Sequence, residues 1–146
     1  MDFNAKIIEE FRRSGGKVLG PAEGFSLLLL HTTGARTGAE RVTPVAYQPL
    51  ADGWAVFATH AGAPKHPAWY HNLLAQPETI VEIGTETVTV RARLAGGEER
   101  ARIWERQKLF YPSFAKHEAK TPREIPVIVL ERLTARRQGS RSLNLG

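Results

Sequence analysis

Residues 31–44, HTTGARTGAERVTP, set two glycines, four threonines and two arginines directly behind the apolar run FSLLLL. That combination suits an anion. Gly34 and Gly38 let the backbone approach a phosphate closely, hydroxyls such as those of Thr37 and Thr43 donate to it, and Arg36 and Arg41 add charge-assisted bonds. No Gly-Lys-Ser/Thr and no G-x-G-x-x-G follows, which sets aside a P-loop and a dinucleotide fingerprint. On residue types alone, a polar hairpin turn with solvated arginines accounts for the stretch equally well.

A second stretch, THAGAPKHPAWYHN (59–72), has a different character. Ala61, Gly62 and Ala63 leave room for a flat ring against the backbone. Lys65 and His66 precede Pro67 at an expected helix start, where free N–H groups and the helix dipole favour an anion. The competing account is a loop and helix cap with Trp69 and Tyr70 in the core. His60, His66 and His71 cluster, but gaps of six and five residues do not put two imidazoles on one helical face. No carboxylate or cysteine nearby completes a zinc set, so no metal is expected.

In the third stretch, LFYPSFAKH (109–117), Tyr111, Phe114 and His117 recur every third residue, with Pro112 between the first two. Such rings can wall a flat substrate, with Tyr111 or His117 giving a proton; plain core packing is the alternative. Ser26, Ser113, Ser140 and Ser142 lack the G-x-S-x-G setting of a hydrolase nucleophile. Glu9-Glu10 and Glu98-Glu99 read as solvated helix faces rather than catalytic carboxylate pairs.

The elements that must position these residues can be read from periodicity. Residues 3–13 carry Phe3, Ile7, Ile8 and Phe11 on one helical stripe, with Arg12 and Arg13 at the negative end and Gly15-Gly16 as a stop. FSLLLLH (25–31) reads as a strand buried on both faces. RVTPVAYQ (41–48) reads as a second, with Pro44 implying an edge or bulge. An Asp-Gly turn introduces a third at 54–59. A short helix is expected within 65–77, with Pro67 in its first turn, then a hairpin over 78–94 around Gly84. Its second arm alternates Val88, Val90, Ala92 and Leu94 against Thr87, Thr89, Arg91 and Arg93. Helical pieces follow at 97–110 and from Tyr111 to Lys120, then a last buried strand at 125–131. The expected fold is mainly β (α+β), a small barrel of about six antiparallel strands with three to four helices against it.

The chain's 146 residues suit one domain, 1–133, with 134–146 as a basic tail expected to be disordered. A hydrophobic fraction of 42% suffices for a core. The absence of cysteine excludes a disulfide framework, a thiolate nucleophile and any Cys-ligated metal, and fits a reducing cytoplasm. No apolar run approaches the roughly 20 residues of a spanning helix, and the start lacks the apolar core of a signal peptide. A net charge of +5 favours an anionic partner.

LLLLHTTGARTGAERVTPVAY, GWAVFATHAGAPKHPAWYHNLLAQP and the closing IPVIVLER together resemble the deazaflavin-dependent nitroreductase family. These are FMN-binding-like split β-barrel oxidoreductases of actinobacteria that use coenzyme F420, and the likeness spans about residues 25–132. It implies that Arg36, Thr37, Gly38, Arg41, Thr43 and Pro44 grip the cofactor's phosphate and acidic tail. It also implies that Thr59, His60, Ala61, Gly62, Ala63, Lys65, His66 and Pro67 line its ring, with Trp69, Tyr70 and Asn72 completing the signature. Reduced deazaflavin would pass hydride to an electron-poor acceptor such as a quinone, a nitro compound or an activated alkene. Thr59-His60 stands where the best-studied members resemble Ser-Lys. Tyr111, Phe114 and His117 stand where their substrate wall, to which Trp69 also belongs, resembles three tyrosines. Tyr111 and His117 are the expected proton donors, and quinone reduction gains ground over nitroimidazole activation. An FMN-binding barrel is the alternative cofactor class. A non-enzymatic module binding nucleic acid or an anionic membrane through the tail and first helix is the alternative outside catalysis. The leading reading has a small-molecule acceptor and no nucleic-acid partner, and leaves open homodimerisation and peripheral membrane contact through the first helix.

Overall fold

The computed structural model describes residues 3–18 and 26–133. Six antiparallel strands close into a barrel in the order β1-β2-β3-β6-β5-β4. They are β1 (Leu27–Thr33), β2 (Glu40–Leu50), β3 (Gly53–Phe57), β4 (Glu78–Ile83), β5 (Glu86–Leu94) and β6 (Val127–Arg132). The helices are α1 (Phe3–Ser14), α2 (Ala68–Ala75), α3 (Gly97–Phe110) and α4 (Ser113–Lys120), with a single 3-10 turn at His60–Gly62. The expected fold class, strand count and helix count are met. The tail 134–146 and the start of the first expected strand, residue 25, lie outside the described residues.

Alternation sorts the barrel into two cores. Leu28, Leu30, Val45, Trp54, Val56, Val81, Val88, Val90, Ala92, Ile128 and Leu130 fill the interior. Ala55, Phe57, Val127 and Val129 point outward, under Ile103 and Trp104 of α3 and Phe114 of α4. Leu27 and Leu29 are buried too, so β1 is covered on both faces as its apolar run implies. Leu94, the last inward candidate of the β5 alternation, is half exposed because the strand ends there.

The apolar stripe of α1 lies against the barrel. Phe11 is 1% exposed, and Arg12 makes a two-pronged contact to Glu82 of β4, at 3.0 and 2.7 Å. Between α3 and α4, the Trp104 indole donates to Glu118 at 2.8 Å and Lys108 to the other carboxylate oxygen at 3.1 Å. Burial alone would raise the Glu118 pKa; hydrogen bonds from Lys108 and Trp104 outweigh it and hold the carboxyl below its ordinary range.

Two boundaries differ from the sequence reading in ways that matter for the site. β1 runs on through Thr33, because its ladder with β2 continues to Thr33–Glu40. The glycine-rich stretch is therefore a tight turn over 34–39, flanked by strand residues. Pro44 sits where β2 pairs only with β1, since β3 is met first at Tyr47, so the missing N–H falls on a free edge as expected. α2 is shorter than expected, with Pro67 as its N-cap rather than within its first turn.

Candidate active site

The β1–β2 turn and the C-terminal end of β3 lie at one end of the barrel, because β2 and β3 are antiparallel neighbours. The turn is closed by Gly34 N–H to Ala39 O at 2.7 Å and Gly38 N–H to Gly34 O at 2.8 Å. The Thr37 hydroxyl accepts from Ala39 N–H at 3.2 Å, and Gly38 takes a φ of +73°. Arg36 and Arg41 are exposed, and neither has a carboxylate partner among the described residues. Glu40, between them in sequence, instead faces His31 at 3.3 Å. Thr43 and Pro44 are half-buried strand residues. Thr32 continues the inward alternation of Leu28 and Leu30 and lies opposite Arg41. It is 4% exposed, and its Oγ1 has no partner among the described residues.

The second stretch curls around a residue that the sequence reading missed. Arg123, in the segment before β6, donates from Nε to Ala63 O at 2.9 Å and from Nη2 to Thr59 O at 2.7 Å. Its Nη1 donates to Ala58 O at 3.1 Å and to His66 Nδ1 at 2.9 Å. Only its place before a buried strand, in TPREIP, marks it in the sequence. His60 adopts a left-handed φ of 49° and its Nδ1 faces Lys65 O at 3.0 Å. Lys65 is exposed, and the half-buried His66 ring packs 4.6 Å from Tyr70. Burial, then the charge of Arg123, then His71 hold the His66 pKa below the ordinary imidazole value.

Gly62 has a packing role that its small size concealed. Its φ is +79°, and a Cβ there would stand 2.8 Å from His117 O and 2.9 Å from Lys120 Cβ. The loop is thus pressed onto α4. Asn72 joins the first two stretches: it is buried, and its Oδ1 accepts from Ala35 N–H at 3.0 Å. Trp69 and Tyr70 are half-buried against the interior core.

On the third stretch, Tyr111 and His117 are half-buried, whereas Phe114 is 4% exposed. Its ring packs 5.6 Å from Phe57 and 6.2 Å from Trp104. Phe114, expected on the substrate wall, is packed into the outer core, because Pro112 starts α4 with that position turned toward the outer face of the barrel. It backs Tyr111 and His117, at 6.4 and 5.9 Å between rings. All three stretches therefore meet at one end of the molecule. A groove of about 560 Å³ elsewhere, between the β2–β3 turn and α3, is lined by none of these residues. Among the described residues, no three His, Cys, Asp or Glu side chains could hold a metal ion together. No helix among them is long and apolar enough to cross a membrane.

Residues 5–132 match the model of a family described as F420H(2)-dependent quinone reductase. The chain belongs to this family. An F420H(2)-dependent quinone reductase of Mycobacterium tuberculosis strain H37Rv is 35% identical over 108 residues, 72% of each chain. A solved structure described as an F420-H2 dependent reductase, FDR-A, has a TM-score of 0.66 at 37% identity, over 72% of this chain and 93% of that one. Another, described as a domain-swapped dimer, has a TM-score of 0.69 at 30% identity, over 87% and 95%. The protein is thus an F420-dependent split-barrel oxidoreductase with a quinone as its class of acceptor. The donor set fits this cofactor, which carries a phosphodiester and a glutamate tail. Two guanidiniums without carboxylate partners and a buried, unpartnered threonine hydroxyl flank one turn, and an exposed lysine follows on the neighbouring loop.

Proposed function

We propose that this barrel end binds the deazaflavin with Arg36, Arg41 and Lys65 on its phosphate and carboxylates, and with the loop from Thr59 to Pro67 beneath its ring. The observation that carries this reading is the coupling of the three stretches. Asn72 ties the arginine-bearing turn to α2, and Gly62 seats the loop on α4. Thr32 and Thr43, on the inward side of the barrel mouth, offer hydroxyls to the same ligand. The bound cofactor supplies a hydride from C5.

The protein's own contribution is orientation, exclusion of water and control of a proton. The apolar interior behind Trp69 and Tyr70 closes one side of the site. Tyr111 and His117 line the other, so a quinone between them and the ring meets a phenol and an imidazole able to protonate its developing oxyanion. Tyr111 is the first choice of donor, since its phenol O–H can donate directly to the developing oxyanion. Fluorescence titration with coenzyme F420, with FMN in a parallel cell, tests the assignment. Saturable binding of the deazaflavin alone, weakened in Arg41→Ala, supports it. Preference for FMN, or deazaflavin binding indifferent to Arg41, refutes it.

A further inference from the structure

We infer that Arg123 is the positioning residue of the ring-binding loop, and that it fixes His66 as a neutral donor whose Nε2–H is directed to the bound deazaflavin. This rests on the proposal that the ring lies over residues 59–67. Arginine has five N–H donors in a rigid fork. Here four of its bonds go to one segment: the carbonyls of Ala58, Thr59 and Ala63, and the imidazole of His66. Every one of those acceptors is neutral. Placing a cation in a half-buried site without a carboxylate is unfavourable unless its bonds achieve something a cheaper residue cannot. What they achieve is the curl of the loop, including the left-handed turn at His60. Lysine, a point donor on a flexible stem, cannot reproduce the fork.

The bond to His66 has a chemical consequence. A guanidinium can only donate, so Nδ1 must accept, which puts the imidazole proton on Nε2. The groups facing this ring are Arg123 from the segment before β6, Tyr70 and His71 from α2, and Lys65 beside it in the chain. None is a carboxylate, so nothing there among the described residues favours the imidazolium, in keeping with the depressed pKa. Nε2, on the far edge of the ring, has no protein partner among the described residues. An oriented neutral donor suits the carbonyl and ring-nitrogen acceptors of a deazaflavin.

Long-range ¹⁵N–¹H NMR of the full chain without cofactor reads the tautomer directly. The expected result is His66 as the Nε2–H form, becoming a tautomer mixture with a raised pKa in Arg123→Gln. A mixture or the Nδ1–H form in the wild type overturns the inference. The companion measurement is F420 affinity of His66→Gln, which keeps an N–H near the Nε2 position, and of His66→Phe, which does not; both leave Arg123 in place. The affinity of His66→Gln is expected to stay within about threefold, and that of His66→Phe to fall about tenfold or more, the scale of one hydrogen bond. Equal affinities overturn the donor role. If the wild type itself fails to bind F420, the parent proposal falls instead, and the tautomer result stands apart from it.

Discussion

Replacing Gly62 by alanine tests whether the two halves of the site are mechanically one. Two costs apply there. The left-handed φ of +79° disfavours an L side chain, and the new Cβ would sit 2.8 Å from His117 O and 2.9 Å from Lys120 Cβ. The first costs about 1–2 kcal/mol. The second is an overpacking term of about 1–3 kcal/mol. Gly38 provides the control, because its φ of +73° is similar but a Cβ there meets nothing within 4 Å. At about 3–4 °C per kcal/mol for a chain of this size, Gly38→Ala should lower Tm by about 3–8 °C and Gly62→Ala by about 6–20 °C. Both are measured by thermal unfolding without added cofactor. Because α4 must move to admit the methyl group, Gly62→Ala should also raise the acceptor KM and the cofactor Kd together. If the two variants melt within about 2 °C of each other, the loop is not pressed against α4. If Tm falls but both binding constants hold, the packing does not couple the two binding surfaces.

Three further outcomes follow from the same contacts. Arg41→Ala should weaken F420 binding by about 1–3 kcal/mol, the loss of a charge-assisted bond; wild-type affinity by fluorescence titration would remove Arg41 from the phosphate site. Tyr111→Phe should lower kcat by about a hundredfold at unchanged cofactor Kd, and an unchanged steady-state rate would move the proton donor elsewhere. The hydrogen bond from Arg12, opposed by burial and aided by His31, holds Glu82 below its ordinary pKa of 4.5. Its contribution is therefore complete above that pH and is lost as the pH falls through the folded value. Glu82→Gln should cost about 1 kcal/mol at neutral pH, discounted for the half-exposed Arg12. It should also flatten the acid limb of a stability–pH profile, and a profile identical to wild type would deny the link between α1 and the barrel.

The barrel was legible in the sequence because its signals are local. Alternation at Val88, Val90 and Ala92 reports an inward face wherever the strand pairs, and the bounds of α3 follow from a glycine start and a proline stop. The parts of the site not legible are those built across distance. Asn72 and Ala35 are 37 residues apart, and Arg123 meets its loop across 57 to 65. No spacing rule connects such positions. The burial of Phe114 was not legible because an aromatic three residues from Tyr111 reads the same whether it faces solvent or core; Phe57 and Trp104 on the barrel's outer side decide it. Strand ends slipped for a related reason: a ladder ends where its partner ends, so the Thr33–Glu40 pair carried β1 past the point suggested by composition.

The clasp of Arg123 also sets an order of events. Residues 58–66 leave the ribosome well before the arginine that gathers them, and that arginine sits just ahead of β6, which pairs with β3. A chain with an unfinished barrel has the right residues for the ring but not their arrangement. On the proposal that the ring lies over this loop, the ligand would bind the completed fold, and occupancy would draw the whole folding equilibrium forward. At a free cofactor concentration a hundred times Kd, that pull amounts to about 2.7 kcal/mol. A cell rich in deazaflavin would hold more of this protein folded than a cell that lacks it.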